Sequence, residues 1–267
     1  MYHENTLRKL FDSGKPTLST RLHSVSPLTT EAVGALGIYD YVELVAEYTP
    51  FDQYDLENMA RAAEIHGMGT MIKLDYQDRA YVSQKALASG FQAILFSDHT
   101  RPEEVEESIR LTTAKTPSGG GMGWIARRWV GFQTVATQEE YIAMTNASIR
   151  AFMVEKKETV DRIDEFCAVP GIDMIQFGPN DFALSSGFNM KDNKDRLRAA
   201  EKKVIETAQK YHIRPRAELN SAEDARFYLD LGVQDFSLGL ELRVLQGFLS
   251  REGDVLLNLM AEKGVIH

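Results

Sequence analysis

This chain is poor in the features that mark several protein classes. A single cysteine, Cys167, in 267 residues excludes an intramolecular disulfide and fits a reducing compartment. It reads as a buried helical filler. No apolar run approaches the about 18 residues of a membrane-spanning helix. Met1 to Asn5 lacks the basic region and apolar core of a signal peptide, so a cytoplasmic location is expected. Positive charge is short as well: 30 Lys and Arg against 39 Asp and Glu leave a net −9. Nucleic acid and anionic membranes need a basic face, so neither is expected as a partner, and a small molecule is. No Gly-x-Gly-x-x-Gly turn follows the first candidate strand to suggest a dinucleotide fold.

What is present is an ordinary globular composition, 43% hydrophobic and 26% charged, able to bury a full-sized core. One cluster resembles a flexible insert, Thr116-Pro117-Ser118-Gly119-Gly120-Gly121-Met122-Gly123, but functional-looking residues follow it. The chain therefore reads as one domain over 1–267, with a lid-like insertion around 114–136.

A pattern recurs four times: a helix-period segment ends at a glycine and an apolar strand follows. The copies begin at Gly37, Gly90, Gly171 and Gly232 and run to Leu44, Phe96, Phe177 and Leu238. Glycine stops the helix in a left-handed cap and the strand starts after it. Further strands are expected at Pro16 to Leu22, Gly69 to Leu74, Arg150 to Glu155 and Ile213 to Leu219. Helices are expected at Asp55 to His66, Pro102 to Thr112, Thr159 to Ala168, Asp195 to Tyr211 and Ala222 to Leu231. Eight strands alternating with helices over roughly 250 residues suit a closed (β/α)8 TIM barrel. An open doubly wound sheet is the alternative.

Two of these strands stop at an acid. Ile149 to Val154 leads into Glu155, and Met174 to Phe177 leads into Gly178-Pro179-Asn180-Asp181. Carboxylates at the carboxyl ends of buried parallel strands stand where α/β enzymes place their chemistry. Two of them converging repel unless a cation or a shared proton compensates, so Glu155 and Asp181 read as ligands of a hard divalent ion. The alternative is two acids that each cap a following helix. The other strand ends are polar too, offering Arg21 and His23, Glu47 and Tyr48, Lys73 and Asp75, Asp98 and His99, Glu218 and Asn220, and Gly239 with Glu241.

Gly14-Lys15-Pro16, Asp40 to Glu47 leading to Pro50, Val154-Glu155, Phe177-Gly178-Pro179-Asn180-Asp181 and Tyr228 to Gly232 together resemble the HpcH/HpaI aldolases, over almost the whole chain. The resemblance implies a modified barrel of the phosphoenolpyruvate/pyruvate-binding type. It implies a lyase that cleaves 4-hydroxy-2-oxo acids to pyruvate and an aldehyde. It implies Mg²⁺, Mn²⁺ or Co²⁺ on Glu155 and Asp181, and a carboxylate held by the Gly178, Pro179, Asn180 turn. A homo-oligomer is implied as well, a hexamer or trimer of dimers in which the last helix packs on a neighbour.

The chain departs from that pattern in two places. Lys73 stands where the family usually has arginine, keeping the charge and losing the bidentate fork. Tyr48 replaces a histidine base, and the acid that would orient it falls at about Ala88, so both partners of that dyad are absent. An unperturbed tyrosine has a pKa near ~10 and donates a proton more readily than it takes one. His23 is a candidate replacement base, or a surface histidine. Arg21, two residues before it on the same strand face, needs an anion: a substrate carboxylate or phosphate, or else Glu43 or Glu47. Glu47 is expected to orient a neighbour. Arg127 and Arg128, after the glycine-rich segment, are expected to close over substrate from a lid, or to be a solvated pair. His66, His212 and His267 carry no chemistry. The expected reaction is aldol cleavage or formation through a pyruvate enolate. Decarboxylation of an oxaloacetate-like acid needs no base for a hydroxyl proton and is the alternative, followed by a binding protein without turnover.

Overall fold

A computed structural model describes residues 4–132 and 137–265. His267 and the last residues of the expected insertion lie outside the described residues. In chain order the elements are α1 (Thr6–Asp12), β1 (Thr17–Leu22), α2 (Pro27–Gly34), β2 (Tyr41–Val45), α3 (Gln53–Ile65), β3 (Gly69–Leu74) and α4 (Arg79–Ser89). Then come β4 (Ala93–Phe96), α5 (Pro102–Leu111), α6 (Gln138–Asn146), β5 (Ile149–Val154), α7 (Lys157–Asp161), α8 (Ile163–Cys167) and β6 (Met174–Phe177). The chain closes with α9 (Pro179–Ser185), α10 (Lys194–Lys210), β7 (Arg214–Leu219), α11 (Ala225–Asp230), β8 (Asp235–Leu240) and α12 (Glu241–Glu262).

The eight strands are parallel and closed, each paired with its sequence neighbour and β8 with β1. This is the expected (β/α)8 TIM barrel, and it sets aside the open sheet. All four glycines of the repeated pattern have positive φ, from 69° at Gly37 to 108° at Gly90, as a left-handed helix stop requires. The helix expected over Thr159 to Ala168 is broken into α7 and α8, because Arg162 leaves helical geometry at φ −106° and ψ 27°. Val160, Ile163, Phe166 and Cys167 keep one buried face across the break.

Strand periodicity sorts the side chains into two layers. The outward set, including Val42, Leu44, Ile72, Ile94, Phe96, Phe152 and Ile175, packs beneath the helices. The inward set divides by sector. Over β3 to β6 it is mostly apolar, with Met71, Leu95, Ala151, Met153 and Met174 packed on Leu7 of α1. Across β1, β7 and β8 it is polar, since Thr17, Ser19 and Arg21 alternate on β1, Arg214, Arg216 and Glu218 on β7, and Asp235 and Ser237 on β8.

Buried charges survive in a barrel only when paired and hydrogen bonded. Arg216 meets Glu43 of β2 with both side chains at most 1% exposed, and it also donates to Gln176 and to Ser19 Oγ, the latter at 3.0 Å. Arg214 grips Asp235 with two contacts of 2.8 Å. Burial would lower the pKa of Arg216, but Glu43 outweighs it and holds the guanidinium charged.

Removing one member of such a pair strands the other. Glu43→Leu is expected to lower unfolding free energy by about 3–5 kcal/mol in urea melts, and Glu43→Leu/Arg216→Met is expected to recover most of that loss. Equal loss in the single and double variants would show that the pair is not the unit of stability.

Candidate active site

The carboxyl ends of the strands surround a cavity of about 470 Å³. Its β5–β6 wall carries the two strand-end acids. Glu155 directly follows β5 and is 2% exposed. Asp181 lies in the first turn of α9, after Pro179 at its start, with its side chain 39% exposed. Gly178 joins them. A Cβ at that position would lie 2.6 Å from Glu155 Cβ and 2.8 Å from Glu155 Oε2, so only glycine lets the turn rest against the buried carboxylate.

Glu155 Oε1 accepts the Asp98 backbone N–H at 2.9 Å. Asp98 makes this contact from a left-handed conformation, φ 63°, uncommon without glycine. Its own carboxylate pairs with Lys156 Nζ at 2.5 Å, and that nitrogen lies 3.8 Å from Asp181 Oδ1. Burial pushes the Glu155 carboxyl up to about 7, against the downward pull of Lys73 and the Asp98 N–H. A cation beside it would relieve that cost.

Glu155 and Asp181 together offer only carboxylate oxygens, the donor set of a hard ion that completes its shell with water and substrate. Among the described residues no cluster of three or more His, Cys, Asp or Glu stands ready for a metal. Two acids suit Mg²⁺, Mn²⁺ or Co²⁺, which are bound in this way, better than a structural zinc.

Beside this wall Lys73, at the end of β3, is paired with Glu47. Burial favours the neutral amine, but the Glu155 and Glu47 carboxylates outweigh it and keep Lys73 protonated. Its Nζ lies 5.9 Å from the centre of the Tyr48 ring. That ring is 69% exposed, yet its hydroxyl end is partly withdrawn from water and faces Glu47, and together these push the phenol up to about 12. Tyr48 is therefore suited to donate a proton rather than take one, because Glu47 outweighs Lys73. On β1, Arg21 is paired with Glu218 rather than with Glu43 or Glu47. His23 lines the cavity nearby, its backbone N–H donating to Glu241 Oε1 at 2.6 Å and its carbonyl accepting from Thr49. Gly178, Pro179 and Asn180 also line the cavity.

The arginine pair is placed elsewhere, which corrects the lid expectation. Arg127 pairs with Glu57 at 2.7 Å and Arg128 with Glu64, both acids on α3, and neither arginine lines the cavity. The described part of the insertion follows α5, not β4, so it leaves from the amino-terminal side of the barrel and runs along the outer faces of α3 and α4. His99 is also outside the cavity. It is 1% exposed, set edge-on against Tyr76, Phe96 and Phe152, and burial pushes its pKa down to about 4.

Three charged cavity residues escaped the sequence reading, Glu201, Arg216 and Arg243, as did Lys156, which pairs with Asp98 beside the Glu155 wall. Arg216 was detectable, because Arg214, Arg216 and Glu218 alternate along β7 and must share its inner face. Lys156 carried no signal beyond standing next to Glu155.

A buried acid wedged by a glycine turn, a second acid in that turn and a charged lysine beside them stand together at the strand ends of a TIM barrel, where such barrels carry their active sites. The sequence profile of the HpcH/HpaI aldolase/citrate lyase family matches residues 52–245, and the chain belongs to that family. It is 26% identical over 231 residues to the 5-keto-4-deoxy-D-glucarate aldolase of Shigella boydii serotype 18, covering 86% of this chain and 87% of that protein. The Enterobacter sp. (strain 638) enzyme of the same name is equally similar, at 26%. The fold is shared with an HpcH/HpaI aldolase from Desulfitobacterium hafniense DCB-2, with a TM-score of 0.86 at 20% identity over 95% of this chain and 97% of that one. The citrate synthase SbnG has a TM-score of 0.80 at 22% identity, covering 98% and 99%.

Gly178→Ala forces Glu155 out of place without touching its charge. Calorimetry is expected to show Mn²⁺ affinity at least tenfold weaker in this variant and lost in Asp181→Ala, with circular dichroism unchanged. Full Mn²⁺ affinity in both would show that Glu155 and Asp181 do not hold the ion.

Proposed function

We propose that this chain is a divalent-metal-dependent carbon–carbon lyase that cleaves or forms a small 4-hydroxy-2-oxo acid, with pyruvate enolate as the fragment carrying the developing charge. The observation that carries this reading is the packing of Glu155 against Gly178, which holds two carboxylates and the Lys73 ammonium around one end of the cavity. The names of the 26%-identical relatives support an aldol reaction.

A bound Mg²⁺, Mn²⁺ or Co²⁺ would act as a Lewis acid toward the oxygen on which charge develops. Lys73 adds what the chain itself can supply, a fixed positive charge with N–H donors aimed at the same end of the substrate. Because its neighbours keep it protonated, Lys73 is not a nucleophile: Schiff-base formation needs the neutral amine. Tyr48 holds its proton at Oη and donates it to an oxygen of the substrate or the leaving fragment. The amides of the Gly178 to Asp181 turn help orient the carboxylate. Decarboxylation of an oxaloacetate-like acid is the second reading, and the raised Tyr48 pKa favours it, since that reaction needs no base for a hydroxyl proton.

We also infer a homo-oligomer, a hexamer or trimer of dimers. No residue of α12 is buried, and Leu242, Val244, Leu245, Phe248, Leu249, Val255 and Leu256 on it are all exposed. So much contiguous apolar surface is covered in solution by a second copy.

With Mg²⁺ or Mn²⁺ in heavy water, the protein is expected to erase the methyl proton signal of pyruvate, and chelator is expected to stop the loss. Borohydride added with pyruvate is expected to leave the protein mass unchanged. No exchange with any metal would overturn the enolate reading, and a reduced adduct on Lys73 would replace it with Schiff-base chemistry. Light scattering is expected to report an oligomer that Phe248→Asp dissociates; a monomeric wild-type protein would refute the assembly.

A further inference from the structure

Lys156 follows Glu155 directly in the chain but does not line the cavity; its ammonium turns to the acids around the strand end instead. Nζ meets Asp98 Oδ1 at 2.5 Å and lies 3.8 Å from Asp181 Oδ1. Burial favours the neutral amine, but Asp98, Glu155 and Asp181 outweigh it and keep Lys156 protonated. One cation thus stands between two aspartates, with Asp98 much the closer.

Asp98 is itself drawn toward the Glu155 wall. It adopts φ 63°, a left-handed backbone uncommon without glycine, and from there its N–H reaches Glu155 Oε1 at 2.9 Å. Of the two aspartates, Asp98 acts more strongly than Asp181 on the Glu155 carboxyl. Its own carboxylate is partly exposed, and among the described residues it is paired with Lys156. A third carboxylate therefore stands at the edge of the two that could hold a metal, and an ammonium engages it.

Two carboxylates and three make different metal sites. A small hard ion that works with a substrate is held by one or two carboxylates and keeps its remaining positions for water and ligand, whereas added carboxylates close the shell and suit a larger ion such as Ca²⁺. An ammonium at the same place also opposes the approach of a divalent cation.

We propose that Lys156 is an internal counter-ion that keeps the Asp98 carboxylate from becoming a third metal ligand, so that the protein supplies two carboxylates and the ion keeps its other positions for the 2-oxo acid. The inference rests on the reading that Glu155 and Asp181 hold the ion. Lys156 is a positioning residue, since it acts through Asp98 and not on the substrate.

The test is calorimetric Mn²⁺ binding together with water-proton relaxation of the bound Mn²⁺, which reports how many waters the ion retains; neither requires turnover. In Lys156→Met the released Asp98 is expected to join the ion, so that Mn²⁺ affinity rises at least tenfold and about one water fewer remains. Lys156→Arg, which keeps a cation beside Asp98, is expected to match the wild-type protein in both readings. Asp98→Asn/Lys156→Met has the wild-type net charge and no third carboxylate, and it is expected to return both readings to wild type. If Lys156→Met fails to fold, Lys156→Gln carries the same expectations. Tighter Mn²⁺ binding with an unchanged water count would overturn the inference, because charge alone would then account for the gain. Unchanged or weaker binding would overturn it as well, and a wild-type protein that still bound Mn²⁺ would leave the proposed function standing. No Mn²⁺ binding by the wild-type protein would overturn the proposed function, and the inference with it.

Discussion

Arg216 and Glu43 meet inside the barrel where neither side chain reaches water, and the polar half of the cavity is organised outward from that contact. A guanidinium in such a place draws acceptors to its donors, and only Nε of Arg216 is left without one. Glu43 lies on one side, Ser19 and Gln176 on others, and Gln176 passes the constraint on to Glu218, which fixes Arg21. Each link is a short-range demand for hydrogen bonds. Their sum determines which group faces the cavity several residues away.

The half of the cavity around Glu155 obeys the opposite logic. Met71, Met153 and Met174 fill the interior with apolar volume, so a carboxylate placed at its rim is poorly solvated. Glu155 stands there, and its raised pKa expresses that shortage of water. The apolar sector thus sets the demand for positive charge, and Lys73 meets part of it while remaining charged itself. One barrel therefore holds a region where charges satisfy one another and a region where they are left wanting a partner.

The closed barrel was legible because its signals are local: glycine stops, apolar runs and strand ends each sit within a few residues of what they determine. All four glycines adopt the left-handed geometry that their positions imply, and Glu155 and Asp181 are brought to one cavity as their strand ends suggest. What failed depended on direction in three dimensions. Arg127 and Arg128 follow a glycine-rich segment as lid residues would, but whether a connection leaves the top or the bottom of a barrel depends on whether it follows a strand or a helix, and this one follows α5. That Tyr48 holds its proton was legible from its chemistry, but the size of the effect comes from burial and from Glu47 beside its hydroxyl, which adjacency in sequence does not specify.

The sectoring of the interior bears on how such a protein can change over evolutionary time. Methionine and leucine positions between β2 and β6 can be exchanged one at a time, because volume is the main constraint and neighbours repack. Positions on β1 and β7 cannot drift singly, since each charge has a named counterpart on another strand and an intermediate with one partner missing is penalised. Descendants of this chain should therefore explore new chemistry at the rim in small steps and switch the charged sector in concerted jumps, leaving correlated substitutions between β1, β2 and β7 as the trace of each switch.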